Sequence, residues 1–182
     1  MGGGAQQAMG SGDTPCAAVL LRRATPDDHA RTGELTVAAY RDFLGAESDY
    51  TDRLRDAAAR DREAELWVAE DDGRVVGTVT VCPPGSPWRE LSRPDEGEFR
   101  MLAVAPEARG RGIGEALARM CLDRFRAEGA RAVVICSLPE MTTAHRVYDR
   151  LGFRRAPELD WEPVAGVQLN GYRIDFEEWP DE

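Results

Sequence analysis

A glycine-rich turn between an apolar strand and a long helix constrains this sequence more than any other feature. The strand-like run EFRMLAV covers residues 98–104, and the turn RGRGIG covers residues 109–114. Apolar residues then recur at helical spacing until Gly129, which is typical of a helix C-terminus; they are Ile113, Leu117, Met120, Cys121 and Phe125. Backbone N–H groups of such a turn converge on an anion, and the helix dipole adds to the attraction. A tight turn that uses glycine only for its geometry is the alternative interpretation.

Strand and helix patterns alternate along the rest of the chain. Thr25 followed by Pro26 and Asp28 is typical of a helix N-terminus. The Asp-Gly step at residues 72–73 predicts a hairpin, and the proline-rich segment over residues 83–97 predicts a long loop. The order of elements therefore indicates a mixed strand-and-helix domain without internal repeats.

Charge and residue usage exclude several functional classes. The net charge is −10, so nucleic acid is not expected as a partner. All 23 basic residues are arginine. Without lysine the chain cannot form a Walker A loop, a kinase active site or a Schiff base.

Cysteine and histidine usage predicts no metal site. The four cysteines show no CxxC spacing, and the only histidines are His29 and His145. Unpaired, packed thiols and a reduced cytoplasmic location are therefore expected. The sequence offers no apolar run of membrane-spanning length, so no membrane partner is expected. Residues 1–15 are predicted to be a flexible tail and residues 16–182 a single domain.

Two motifs resemble those of the Gcn5-related N-acetyltransferase (GNAT) family. Residues 109–114 are similar to the family's Q/RxxGxG/A signature, which cradles the pyrophosphate of acetyl-CoA. Residues 148–153 match the YxxxGF-like motif that ends a later helix in the family. The resemblance covers about residues 18–176, nearly all of the chain beyond the predicted tail, and implies an α/β (α+β) GNAT-like domain. Its mixed central sheet is expected to have about six to seven strands, flanked by about four helices, with two splayed strands holding acyl-CoA.

The resemblance also implies which residues bind acetyl-CoA, the expected co-substrate. Backbone groups of Leu102, Ala103 and Val104 are expected to hold the acetyl carbonyl and the pantetheine arm. The pyrophosphate is expected at the turn and the start of the helix, at Arg109, Gly110, Arg111, Gly112, Ile113, Gly114 and Glu115. Many members carry a cofactor-contacting asparagine where this chain has Met141, so that contact is not carried over.

Acetyl transfer needs a proton acceptor and a proton donor. An alkylammonium has a pKa of about 10 and must lose its proton before it attacks a thioester. Glu98 matches the catalytic glutamate of the histone acetyltransferase branch and is the predicted base. The leaving thiolate has a conjugate-acid pKa of about 8.5, so a phenol beside the sulfur can protonate it. Tyr148 matches the family's tyrosine and is the predicted acid.

Each candidate also has a purely structural interpretation. Glu98 can be a solvated residue at the start of a strand, and Tyr148 can be a core aromatic. His145 lies three residues before Tyr148 and can face solvent instead of the site. Cys136 stands where some bacterial members place their base, but a thiol there is expected to pack rather than react.

The predicted reaction is transfer of an acetyl group to a primary amine by direct attack in a ternary complex. A small and cationic acceptor is favoured by an aromatic wall at Trp88 or Trp161 and by acidic residues near the site, namely Glu96, Glu98, Asp160 and Glu162. Solvated charged faces explain the same acidic residues. The sequence does not separate a small amine, an antibiotic, an amino acid or a protein amine. The alternative function is a non-catalytic acyl-CoA sensor, and the chain can form a homodimer in either case.

Overall fold

Seven strands form one mixed sheet in the computed structural model, which describes residues 19–44, 49–177 and 179. The strands are β1 (Leu20–Arg23), β2 (Glu65–Asp71), β3 (Arg74–Val81), β4 (Glu96–Val104), β5 (Ala132–Ser137), β6 (Arg154–Arg155) and β7 (Asn170–Asp175). Their order across the sheet is β1-β2-β3-β4-β5-β7-β6, and only β4 and β5 are parallel neighbours. The predicted mixed sheet is therefore confirmed. The tail predicted over residues 1–15 lies outside the described residues.

The described residues contain five α-helices, one more than the expected number. They are α1 (His29–Leu44), α2 (Asp49–Arg55), α3 (Ala57–Glu63), α4 (Ile113–Ala127) and α5 (Thr142–Leu151). The additional helix arises because the chain breaks at Asp56, whose φ of −75° and ψ of 72° are not helical. The Asp56 side chain accepts a hydrogen bond from Ala59 N at 2.9 Å and so caps α3.

The start of α1 is fixed by its cap and by β1. A single 3-10 turn, Pro26–Asp28, leads directly into the helix. The Asp28 carboxylate accepts hydrogen bonds from Thr25 N at 2.7 Å and from Thr25 Oγ1 at 2.9 Å. Arg22 of β1 donates to both oxygens of the same carboxylate, at 2.7 and 3.0 Å. The predicted helix start at Thr25 is confirmed, and an ion pair ties it to the sheet.

The two faces of the sheet are covered by different helices. A Cβ atom at Gly97 would lie 2.4 Å from the ring of Phe125, so α4 packs on the face to which position 97 points. Because side chains alternate along a strand, Glu98 and Arg100 point to the opposite face. There, Arg60 of α3 donates to Thr80, the cross-strand neighbour of Arg100. This second face, covered by α1 to α3, carries the predicted base.

The parallel strands β4 and β5 separate along their length. Residues 96–98 pair with residues 132–134, and beyond them the described strands are not paired with each other. β4 also bulges, because Met101 has a φ of +52° and the register on β3 shifts between Thr78 and Thr80. The splay, defined here as the gap between residues 99–104 and residues 135–137, agrees with the expected splayed strands.

The cysteines in the described ranges are unpaired. Cys82 and Cys121 are buried and Cys136 is partly buried, and none of the three forms a disulfide. In the ranges that the structure describes, no helix is both long and apolar enough to cross a membrane.

Candidate active site

The glycine-rich turn lies between β4 and α4 and is open to solvent. Gly110 and Gly112 both have a φ of +77°, and a Cβ atom at either position would meet nothing within 4 Å. Gly112 is the N-cap of α4, and no side chain caps the helix. The first-turn N–H groups, at residues 113–115, are therefore available to an anion. The arrangement suits a pyrophosphate, which needs close access to backbone N–H groups.

The side chains around this turn make different contacts. Arg109 is exposed, and its Nε donates to Val104 O at 3.4 Å. Arg111 is tied to Asp71 of the hairpin, with an Nη1 to Oδ2 distance of 2.7 Å. Ile113 is buried in the main core, so only its backbone can reach a ligand. The carboxylate of Glu115 pairs with Arg150 at 2.8 Å, which leaves the Glu115 N–H as its contribution.

Backbone groups on β4 face the splay at two of the three predicted positions. Ala105 N donates to Val76 O and therefore points toward β3. Because backbone groups alternate in direction along a strand, those of Val104 and Leu102 point the other way, into the splay. Ala103 lies two residues before Ala105, so by the same alternation its own backbone groups face β3 and only its neighbours can bind a ligand in the splay.

Glu98 is buried and its carboxylate is surrounded by donors from the loop before β4. Glu98 is only 1% exposed. Its Oε2 accepts hydrogen bonds from Leu91 N at 3.0 Å, Ser92 N at 2.9 Å and Ser92 Oγ at 2.8 Å. Glu90 N is shared between Oε2 and Oε1, at 3.1 Å from each. Glu98 therefore holds the loop in place, and only Oε1 has capacity for another donor. The proton-acceptor role of Glu98 stays a prediction.

Tyr148 lies on α5 and packs edge-on against Phe153, with ring centroids 5.7 Å apart. Burial, with Cys136 nearby, raises the pKa of Tyr148. Among the described residues nothing hydrogen-bonds its hydroxyl. The phenol is therefore protonated at neutral pH and has a proton to donate, although the raised pKa makes it a weaker acid. Its catalytic role also stays a prediction.

His145 and Cys136, which lie near Tyr148, are in environments typical of packed residues. His145 Nε2 lies 3.1 Å from Leu138 O, and the imidazole packs on Tyr172 at 5.2 Å between centroids. Burial raises the pKa of the Cys136 thiol to about 11. A thiol with that pKa is almost fully protonated at neutral pH, which agrees with packing rather than nucleophilic catalysis.

The acidic residues expected near the acceptor are engaged in the fold. Glu96 pairs with Arg131 and Arg173 at 2.8 and 2.7 Å, and Asp160 pairs with Arg155 at 2.6 Å. Glu162 accepts a hydrogen bond from the backbone of Gly166. Those carboxylates therefore offer little support for a cationic acceptor.

Trp88 lines a cleft of about 400 Å³ between α2, α3 and the loop. Three carboxylates share this wall, at Asp52, Asp56 and Glu63. The Trp88 indole donates to Glu63 Oε2 at 3.2 Å, and the guanidinium of Arg53 lies 4.8 Å from the ring centroid. This Trp88 cleft is one layer outside the splay, because Trp88 O accepts a hydrogen bond from Arg100 of β4 at 3.3 Å.

Three residues near the splay, Arg100, Tyr40 and Tyr50, were missed by the sequence analysis. Arg100 is buried and pairs with Glu90 at 2.5 Å. Tyr40 and Tyr50 belong to one apolar cluster together with Met101 of the bulge. A strand period of two from Glu98 could have identified Arg100. No spacing in the sequence relates helix α1 or α2 to the splay. The sequence therefore contains no pattern that indicates that Tyr40 and Tyr50 lie near it.

A protein-built metal site is not evident. Within the described ranges, no group of three or more His, Cys, Asp or Glu side chains is arranged to hold an ion.

Comparisons with known proteins find related acetyltransferases and synthetases. The chain is 34% identical over 135 residues to mycothiol acetyltransferase from Cellulomonas flavigena, a match that covers 65% of this chain and 37% of the relative. It is 34% identical over 104 residues to N-acetylaspartate synthetase from Danio rerio, covering 56% of this chain and 34% of the relative. The chain thus spans little more than a third of the length of these curated relatives.

Solved structures with the same fold cover nearly the whole chain. An acetyltransferase from Salmonella typhimurium with its cofactor acetyl-CoA has a TM-score of 0.65 at 21% identity, over 91% of this chain and 98% of that one. A Gcn5-related N-acetyltransferase from Kribbella flavida has a TM-score of 0.63 at 27% identity, over 87% and 98%. The model of the acetyltransferase (GNAT) family matches residues 32–153. The resemblance of the two motifs is thereby confirmed, and the chain belongs to the GNAT family of acetyltransferases.

Proposed function

We propose that the protein is an N-acetyltransferase that moves the acetyl group of acetyl-CoA to a primary amine. The observation that carries the proposal is the open splay beside the uncapped start of α4. These two features offer backbone donors to an extended arm and to a pyrophosphate at the same edge of the sheet. Membership of the family and the acetyl-CoA complex of the Salmonella typhimurium relative support the choice of ligand.

Acetyl-CoA supplies an acetyl group activated as a thioester. In the proposed binding mode, the N–H groups of residues 113–115 and the glycine turn hold the pyrophosphate, with Arg109 at the rim. The splay-facing backbone groups of Leu102 and Val104 hold the acetyl carbonyl and the pantetheine arm.

Two side chains move protons in the proposed reaction. Glu98 accepts a proton from the ammonium of the acceptor through Oε1, directly or by way of water, so that the amine nitrogen can form the C–N bond. Tyr148 gives its proton to the sulfur as the C–S bond breaks, and it recovers one from solvent. The nitrogen loses its second proton to water as the amide forms, and Glu98 releases the proton it accepted to solvent. One acetyl-CoA and one ammonium are thus converted to one acetyl amide, one CoA and one proton, and both side chains return to their starting states.

Turnover with a panel of amines tests the proposal. Incubation with acetyl-CoA is expected to release CoA, measured by its free thiol, only when an accepted amine is present. A protein that binds acetyl-CoA but releases no CoA with any amine would instead be the sensor considered as the alternative function.

A cationic acceptor is supported by one feature, the Trp88 cleft. Its three carboxylates exceed its single guanidinium, Arg53, and an indole forms part of the wall. A diamine is the probe for this hypothesis, because its second ammonium can enter the cleft.

Homodimer formation also stays a prediction. Light scattering on a size-exclusion column measures the molar mass and tests it.

A further inference from the structure

Two side chains of β4 hold the loop before that strand at the point where the splay begins. Glu98 is the last residue of β4 that pairs with β5, and Arg100 lies two positions further along, on the same face of the sheet. Residues 88–92, called here the 88–92 segment, return across this face and contact both side chains. The predicted base and a buried guanidinium therefore share one stretch of backbone.

Glu98 and Arg100 bind opposite kinds of groups on the 88–92 segment. The Glu98 carboxylate accepts hydrogen bonds from the N–H groups of residues 90, 91 and 92, at 3.1, 3.0 and 2.9 Å. The Arg100 guanidinium donates from Nη1 to Trp88 O at 3.3 Å, and its Nη2 forms an ion pair with Glu90 Oε2 at 2.5 Å. Both side chains are buried, so water does not readily replace these contacts.

Glu90 connects the two side chains of β4 directly. Its backbone N–H lies 3.1 Å from each oxygen of Glu98, and its own carboxylate pairs with Arg100. A movement of Glu90 that breaks the ion pair therefore also moves a donor of Glu98. Both oxygens of Glu90 already face a guanidinium, because Oε1 pairs with Arg53 at 2.9 Å. Glu90 is thus a link between Arg100 and Glu98 and not a second base.

The donors decide which oxygen of Glu98 is available for a proton. Oε2 accepts from Leu91 N, Ser92 N and Ser92 Oγ and shares Glu90 N, whereas Oε1 has only the shared donor among the described residues. The carboxylate cannot rotate about its Cγ–Cδ bond without breaking these hydrogen bonds. The 88–92 segment therefore keeps Oε1 available in one orientation, as a proton acceptor requires.

We propose that Arg100 is a positioning residue for proton removal: it fixes the 88–92 segment, and the segment holds Glu98 with Oε1 open to the ammonium of the acceptor. The inference rests on the proposed function, in which Glu98 accepts the proton, and it adds a residue on which that step depends. Arg100 contacts neither acetyl-CoA nor the amine in this scheme. A guanidinium suits the task because its separate N–H groups reach a carbonyl and a carboxylate at once.

A purely structural role for Arg100 is the competing explanation. The far end of the loop is held independently, because Arg89 donates to Glu96 O at 2.6 Å. Loss of Arg100 is therefore expected to displace residues 88–90 and to leave the sheet in place. Such a displacement affects turnover through the orientation of Glu98, and a misplacement of about 1 Å can cost about a hundredfold in rate.

The pH dependence of kcat/KM for an accepted amine separates the two explanations on the intact protein. Arg100→Gln is expected to lower kcat/KM by about tenfold or more at pH 7 and by about threefold or less at pH 9.5, because an amine with a pKa of about 10 depends less on a base at high pH. A purely structural role predicts an equal loss at both pH values. Arg100→Lys keeps the charge with a single donor group and should recover part of the loss. Arg74→Gln in the exposed hairpin removes the same charge and should match the wild-type protein.

Two further measurements connect Arg100 to Glu98. The double variant Arg100→Gln, Glu98→Gln should be within about twofold of Glu98→Gln at pH 7, because a residue that acts only through Glu98 has nothing left to position. Peptide-level hydrogen exchange over residues 88–93 should be faster in Arg100→Gln, because the N–H groups of residues 90–92 lose their fixed acceptor. Glu90→Gln removes only the charge of the link and should show the same pH pattern with a smaller loss, which keeps the test decisive if Arg100→Gln does not fold.

The outcomes separate this inference from the proposed function. Full turnover in both Arg100→Gln and Glu90→Gln, an equal loss at pH 7 and pH 9.5, or unchanged exchange over residues 88–93 in both variants overturns the inference and leaves the acetyltransferase function standing. Losses that multiply in the double variant, or full turnover in Glu98→Gln, do the same. No turnover of the wild-type protein with any amine, with acetyl-CoA still bound, overturns the proposed function and the inference together.

Discussion

The predicted phosphate site depends on a single residue conformation at Gly112. Its φ of +77° favours glycine, and its missing side chain leaves the first-turn N–H groups of α4 accessible. Gly112→Asp adds a strained side chain and a negative charge where the pyrophosphate must approach. Acetyl-CoA at a hundred times its Kd should stabilise the wild-type protein by about 2.7 kcal/mol. The variant should lose this rise in melting temperature.

Gly129→Asp is the matched control for that experiment. Gly129 has a φ of +81° and open space around its Cβ position, but it follows the C-terminal end of α4. Both variants carry similar strain and the same charge. A thermal shift that survives in Gly112→Asp, or disappears equally in both, would contradict the predicted binding mode.

The hydroxyl of Tyr148 distinguishes an acid from a core aromatic. Tyr148→Phe keeps the ring and its packing on Phe153, so a structural residue should lose about 1 kcal/mol of stability at most. A catalytic residue should instead lose about 10- to 1,000-fold in kcat, with acetyl-CoA affinity retained. Tyr172→Phe, in the neighbouring ring 6.0 Å away, is the control and should keep full turnover. Full turnover in Tyr148→Phe would assign the tyrosine to the core.

Glu98 is the predicted base, and its carboxylate also holds the loop before β4. The pH dependence of turnover in a Glu98 variant separates the two roles. Glu98→Gln should lower turnover by about 100-fold if the carboxylate is the base, and the loss should shrink at high pH as free amine accumulates. Loss of the loop anchor alone should give a defect that does not recover with pH. Ser92→Ala removes one donor to the same carboxylate and reports the anchoring role by itself.

At the scale of elements, the junction of β1 and α1 depends on Asp28. Hydrogen bonds from Arg22, and then from Thr25, hold the pKa of this carboxyl below its ordinary value of 3.8, although burial opposes the shift. A lowered folded-state pKa contributes stability that is present above pH 3.8 and is lost as the pH falls toward the folded-state pKa. Asp28→Asn should therefore lower the free energy of unfolding by about 1–3 kcal/mol at pH 7 and by less at pH 3.

Urea unfolding at both pH values measures this contribution. Asp27→Asn is the control, because Asp27 is the exposed neighbour in the same 3-10 turn. An equal loss of stability at pH 7 and pH 3 would mean that the charge of Asp28 is not responsible.

At the scale of the whole molecule, the tertiary fold pairs β4 with β5 at one end and separates the two strands at the other. The amides of Leu102 and Val104 face the splay and should exchange with solvent more rapidly than that of Ala105, which is bonded to Val76. Acetyl-CoA should slow exchange at Leu102 and Val104 and leave Ala105 nearly unchanged. Peptide-level hydrogen exchange with and without acetyl-CoA measures this. Unaltered exchange at both positions under saturation would place the ligand elsewhere.

The sequence by itself determined the elements whose signals are local. The cap at Thr25, the hairpin at residues 72–73, the glycine turn and the helix after it were all predicted, because each depends on neighbours within a few positions. The family signature is local for the same reason, and it identified the side of the sheet where acetyl-CoA is expected. Helix propensity favours one continuous helix over the charged, alanine-rich residues 49–65, so the break at Asp56 has no local signal in the sequence.

Only the tertiary structure decided how the candidate residues meet. Glu98 was predicted as an exposed or catalytic carboxylate, and its burial under residues 90–92 depends on a loop that returns across the strand. Tyr40, Tyr50 and Arg100 lie on three separate elements, and no spacing in the sequence relates them. Long-range packing fixes which side chains meet and which charges form pairs, because both depend on distance in space and not along the chain.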